Sequence, residues 1–89
     1  MRAIVTVLGK DRVGIIANVC TLLATNGVNI LDISQTVLQE YFTMVMLVDT
    51  SGCSMPFADL STALKDRGEE QHLTIRIQRE DIFHAMHRI

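Results

Sequence analysis

Aromatic side chains are scarce in this 89-residue chain: Tyr41, Phe42, Phe57 and Phe83 are all it has, and there is no tryptophan. Few platforms are therefore available for stacking nucleic-acid bases. Positive charge is equally thin. Eight Lys and Arg residues against ten Asp and Glu leave a net charge of −2, and no two basic residues are adjacent. The basic stripe of a nucleic-acid binder is missing. Long apolar runs are absent as well, because every hydrophobic stretch is interrupted well short of the roughly 20 residues that span a bilayer. The first such run, after Arg2, meets Gly9-Lys10-Asp11-Arg12 without a small-residue cleavage pattern, so neither a membrane span nor a secretory leader is expected. Two cysteines, Cys20 in an apolar helical pattern and Cys53 in an expected exposed loop, do not make a disulfide framework, and a cytoplasmic location is expected. The one proline, Pro56, leaves most of the chain free for regular structure.

What remains is a chain that is 48% hydrophobic and 20% charged, the balance of a folded globular protein, and short enough for one domain, residues 1–89. Arg2 to Leu8 is rich in β-branched residues and apolar on both faces, which predicts a central strand ended by Gly9-Lys10-Asp11-Arg12. From Val13 the period becomes helical. Ile15, Val19 and Leu22 make one stripe with Ile16, Cys20 and Leu23 beside it, Asp11 is a candidate N-cap, and Asn26-Gly27 is the stop. Val28 to Leu38 alternates as a second strand, and Phe42 to Val48 is a third that is again apolar on both sides, with Gln39-Glu40-Tyr41 as a hairpin connection. Ser51-Gly52 and Pro56 mark a loop, Phe57, Leu60 and Leu64 a second helix stopped at Gly68, and Leu73, Ile75 and Ile77 a fourth strand. Ile82, Phe83, Met86 and Ile89 recur at helical spacing in the tail.

The order β-α-β-β-α-β predicts an α+β, ferredoxin-like sandwich: a four-stranded antiparallel sheet with two helices on one face, strands one and three at its centre, and a core over about residues 2–79. A short C-terminal helix is expected over about 81–89. Central strands that are apolar on both sides leave a second sheet face needing cover from the tail, a second copy, or both, and a homodimer is the expectation for so short a chain.

These residues resemble the ACT domain, a regulatory module of amino-acid metabolism. The likeness rests on Asp11-Arg12-Val13-Gly14-Ile15-Ile16 at the first strand-to-helix junction, Leu22-Leu23 in the helix, and Gly27-Val28-Asn29-Ile30 leading into the second strand. It runs from Ala3 to about Gln78. The ending Phe83-His84-Ala85-Met86-His87-Arg88-Ile89 is similar to that of the free-standing bacterial single-ACT proteins of unassigned function. The resemblance implies an amino acid or related small acid held between the first strand-helix loop of one copy and strand two of its neighbour. Carried onto this sequence, the ligand-binding residues are Asp11, Arg12, Val13, Gly14 and Ile15 on the loop, with Asn29 and Ile30 on the strand. Serine-binding members carry a histidine two positions before the residue matching Asp11 and an asparagine at that position. Here those residues are Gly9 and Asp11, so serine is not implied.

The chemistry of the expected site is consistent with an amino acid. Gly14 admits a close backbone approach, free amides at a helix start receive a carboxylate, Asp11 can receive an α-ammonium, and the Asn29 amide donates or accepts. Each residue also has a plainer role: Asp11 as a cap worth about 1 kcal/mol, Gly14 as a packing glycine, Asn29 as a partner for backbone at a strand start. His84 and His87 share a helix face, but two ligands are too few for a metal centre, and surface histidines are expected. No Ser/His/Asp set, carboxylate pair, phosphate loop or Cys-x-x-Cys is present, so neither catalysis nor a metal or other cofactor is expected. Two functions stand side by side: a ligand-binding regulatory dimer, and a ligand-free dimerisation or protein-docking scaffold with an unknown protein partner.

Overall fold

In a computed structural model the described residues are 1–10 and 15–81, with the side chains of Ile15 and Ile16 excepted. The elements are β1 (Arg2–Lys10), α1 (Ile15–Thr25), β2 (Asn29–Leu38), β3 (Tyr41–Asp49), α2 (Phe57–Glu70) and β4 (Thr74–Arg79). The four strands form one antiparallel sheet in the order β2-β3-β1-β4, so β1 and β3 are central, as their two-sided apolar sequences predict.

Alternation along the strands builds the core. Ala3, Val5 and Val7 of β1, Phe42, Met44, Met46 and Val48 of β3, and Ile75 and Ile77 of β4 are buried together with Val19 and Leu23 of α1 and Leu60 and Leu64 of α2. Both helices therefore lie on that one face. Burying a side chain of this size is worth about 1.5–3 kcal/mol, and the core is contiguous across all three central and edge strands named.

Two boundaries and one residue's exposure differ from the sequence reading, each for a reason that tertiary contact supplies. β1 does not break at Gly9: Gly9 pairs with Phe42 and Lys10 with Tyr41, and the missing Cβ makes room for Leu73 Cδ2. Gly68 does not stop α2, which continues to Glu70; it is buried because a Cβ there would lie 2.8 Å from the Leu73 carbonyl oxygen. Cys53 is not on an exposed loop but half-buried and packed against the core.

Both helices end in the same way. The amides of Gly27 and Val28 donate to the carbonyls of Ala24 and Leu23 at 3.0 and 2.9 Å, and those of His72 and Leu73 donate to Glu69 and Gly68 at 3.3 and 2.7 Å. These are paired Schellman bonds. The left-handed residue is Gly27 (φ 79°), the expected stop, in α1, but His72 (φ 59°) in α2. The β2–β3 hairpin closes on Gln39-Glu40, with Gln39 at φ 59°, the sign that two-residue hairpin turns require at their first position. Helical backbone resumes at Glu80 and Asp81; the rest of the expected C-terminal helix lies outside the described residues.

Candidate functional site

Of the seven residues expected to contact ligand, Asp11, Arg12, Val13 and Gly14 lie outside the described residues, as does the capping role assigned to Asp11. Ile15 opens α1, and Asn29 and Ile30 open β2. Their placement is decided by the sheet register. Asn29 pairs with Asp49, which pairs with Arg2 at the start of β1, whereas residues 11–14 follow Lys10 at its other end. Eight residues of strand, roughly 27 Å at 3.4 Å per residue, separate the two ends. Asn29 and Lys10 stand at opposite ends of the sheet.

Asn29 is exposed and Ile30 half-buried against the core. Between them and Asp32 the register shifts by one residue, leaving Leu31 as a bulge that is 47% exposed. From Leu31 to Leu38 every residue of β2 is exposed, including Val37 at 57% and Leu38 at 71%. Such a strand carries an open row of backbone donors and acceptors on its outer side, and β2 has neither the lysine nor the proline that commonly blunts an edge.

A charged ring beside Asn29 was not legible in the sequence. The Arg2 guanidinium meets the Glu80 carboxylate at 2.9 Å, Arg79 meets Asp81 at 3.0 Å, and the Met1 amine lies 3.5 Å from Asp49. The Ser51 hydroxyl and amide hold the Asp49 carboxyl below its ordinary value of 3.8 by hydrogen bonding to its charged form; the amide bond is 2.9 Å. These residues surround an open depression of about 470 Å³. Each of its charges already has a partner of opposite sign, and none of the expected ligand-binding residues lines it, so its size alone is a poor guide to a ligand site. Met1 and Arg2 meet Asp49 and Glu80 across long stretches of sequence, so no local motif could have announced those two pairs; Arg79–Asp81 is a local one. Among the described residues no group of three metal-ligating side chains assembles, and no helix is long and apolar enough to cross a membrane. His84 and His87 lie outside the described residues.

The fold and its element order define the ferredoxin-like α+β class. Within it, the ACT domain profile matches residues 2–78, and the chain belongs to the ACT domain family. A UPF0237 protein of Clostridium acetobutylicum is 52% identical over 89 residues, covering the whole of both chains. An ACT domain protein from Streptococcus pneumoniae superposes with a TM-score of 0.82 at 46% identity, covering 93% of each chain. A formyltetrahydrofolate deformylase from Pseudomonas syringae pv. tomato has a TM-score of 0.79 at 25% identity; 88% of this chain matches 27% of that one. ACT domains are regulatory, ligand-binding modules that often dimerise.

Proposed function

We propose that the chain is a non-catalytic regulatory module that works as a homodimer and holds an amino acid or a related small acid between its two copies. The observation that carries this reading is the separation of Asn29 from Lys10, which precedes residues 11–14 in sequence, to opposite ends of the sheet, combined with the open edge of β2. A two-fold axis through the middle of β2 would pair the edge strands antiparallel and set Asn29 of one copy beside Leu38 of the other. Leu38 pairs with Tyr41, and Tyr41 with Lys10, so the residue from which the neighbour's 11–14 segment continues stands three strand spacings from Asn29, about 14 Å. The arrangement makes two equivalent sites. Asp11, Arg12, Val13, Gly14 and Ile15 come from one copy, and Asn29 and Ile30 from the other.

Ligand bound this way bridges the copies and stabilises one arrangement of the dimer, which is the differential affinity a regulatory signal requires. A thermal-shift screen against the twenty amino acids and common 2-oxo acids tests it, since ligand at 100 times its Kd adds about 2.7 kcal/mol. Asp11→Ala and Asn29→Ala should each abolish the shift without changing dimer mass. Mixing the two variants should restore about a quarter of the wild-type sites, because half of randomly paired dimers are mixed and each has one intact site. Binding that survives in a monomer, or variants that fail to complement, would refute the shared site.

A second reading rests on the same exposed edge. Val37 and Leu38 could pair two copies, or dock a partner protein, with no ligand between them. Dimer mass without any ligand-induced shift selects that scaffold.

A further inference from the structure

Both described helices pack on one face of the sheet. Residues directly opposite in an antiparallel ladder share a face, so the register places Ile4, Leu8, Leu38, Tyr41, Val45 and Leu47 together on the other face. Leu8, Leu38 and Tyr41 are exposed at one end, and Ile4, Val45 and Leu47 are half-buried nearer the middle. The strand charges of this face are sorted by sign. Arg2 and Lys10 stand on β1 and Arg76 on β4, whereas Asp49 stands on β3 and Asp32 on β2. A line between β1 and β3 divides a basic half from an acidic half.

We propose that this face packs on the same face of a second copy, about a two-fold axis that runs along the strands between β1 and β3. Such an axis lays the basic half of each copy on the acidic half of the other, with the two sheets aligned. β1 then lies over β3 of the partner, so Ile4 meets Leu47 of the partner subunit and Thr6 meets the partner's Val45. Arg2 comes over the partner's Asp49, and Lys10 over the ring of the partner's Tyr41. At the edges β4 lies over the partner's β2, where Arg76 is one row, about 7 Å of strand, from the partner's Asp32. An axis running across the strands through the row of Arg76 does the opposite. It stacks Arg76 on its own copy and Arg2 on Lys10, like charge on like.

Arg2 and Lys10 also meet Glu80 and Glu40 of their own chain, at 2.9 and 4.0 Å, but such exposed pairs are worth little. Arg76 and Asp32, on the two edge strands, therefore carry the argument from sign.

Area sets the strength of the pairing. Four strands and nine residues of length give a footprint of at most about 600 Å² per copy. That falls short of the roughly 800 Å² per partner of a standard interface and lies in the range of weak, transient ones. The faces accordingly join at high protein concentration and part at low. The inference stands independently of the ligand reading, because it uses neither residues 11–15 nor the open backbone edge of β2.

Sedimentation equilibrium of the full chain over roughly a hundredfold range of concentration tests it. The mass should double across the range in the wild type. It should also double in Val37→Glu, where the β2 edge is disabled, so that failure of the edge and failure of the face are told apart. Leu47→Lys should abolish the doubling. Arg76→Glu, on an exposed side chain, should move it to about tenfold higher concentration. Adding Asp32→Arg to Arg76→Glu should restore the wild-type curve, because the two edge strands have then exchanged sign. A mass that does not rise with concentration in either background would overturn the proposal and leave the face to residues 82–89 or to a foreign partner. Doubling that survives Leu47→Lys, or a double variant no better than Arg76→Glu alone, would overturn it as well.

Discussion

Two residues carry consequences out of proportion to their exposure. His72 occupies the left-handed position that ends α2, where the equivalent position of α1 has Gly27. A left-handed residue with a Cβ costs roughly 1–2 kcal/mol, part of which glycine returns through its greater unfolded-state freedom. His72→Gly should therefore stabilise the protein by up to about 1 kcal/mol, seen as a rise of about 4–8 °C in Tm for a domain of this size. Because His72 is exposed, the substitution loses no core contact. Asp49 is the other case. Its folded pKa is depressed, first by the Ser51 hydroxyl and then by the Ser51 amide. A depressed carboxyl contributes stability at pH values above its unfolded value and loses it as pH falls through the folded one. The Tm difference between wild type and Asp49→Asn should accordingly be present at neutral pH and vanish on acidification below about pH 4, the region of an ordinary aspartate. A difference that persists unchanged at pH 3 would remove the charge from the explanation.

At the scale of the element, α2 and β4 are joined by a close contact that composition disguises. A glycine inside a helix costs about 1 kcal/mol relative to alanine, so propensity alone says that Gly68→Ala stabilises. The structure reverses the sign. A Cβ on Gly68 would stand 2.8 Å from the backbone oxygen of Leu73 and 3.1 Å from Ile75 Cγ1, and the carbonyl cannot swing away because it belongs to the strand entry that the Schellman turn holds. Gly68→Ala should destabilise by about 1–3 kcal/mol, the usual cost of overpacking a well-filled site; denaturant midpoints compared at equal m-value give the measurement. Glycine near the end of an apolar period reads as a stop, and only the neighbouring strand reveals that this one is a contact. Gly9 is the same case on β1: it reads as a break, and it is a ladder residue that yields space to Leu73.

For the whole molecule the decisive feature is asymmetry between the sheet edges. β4 is covered by α2 and contributes Ile75 and Ile77 to the core, whereas β2 is exposed along nearly its whole length. If β2 is the dimer seam, Val37→Glu should halve the sedimentation mass, because the proposed axis sets position 37 against the apolar Ile30 of the partner subunit, where a carboxylate would lose solvent without gaining a partner. Monomer stability should change by no more than about 0.5 kcal/mol, as befits a surface position. A Val37→Glu protein that keeps dimer mass would move the seam elsewhere.

Period and punctuation were enough to derive the element order, the central position of β1 and β3, the stripe of α1 and the left-handed stop at Gly27. Each of these is a local or nearest-neighbour property: side chains alternate every two residues on a strand and every 3.6 on a helix, and only glycine takes positive φ freely. The residue types of the ACT resemblance were equally readable, since Asp11, Gly14 and Asn29 stand at fixed places relative to those elements. What required the folded chain was everything that depends on which distant segments meet. The continuation of β1 through Gly9, the burial of Cys53, and the Arg2–Glu80 and Met1–Asp49 pairs join residues far apart in sequence, and the burial of Gly68 depends on where β4 packs. The distance between Asn29 and Lys10 also required the folded chain. A strand's length sets how far apart its ends are, but only the register places Asn29 at the end of the sheet opposite Lys10.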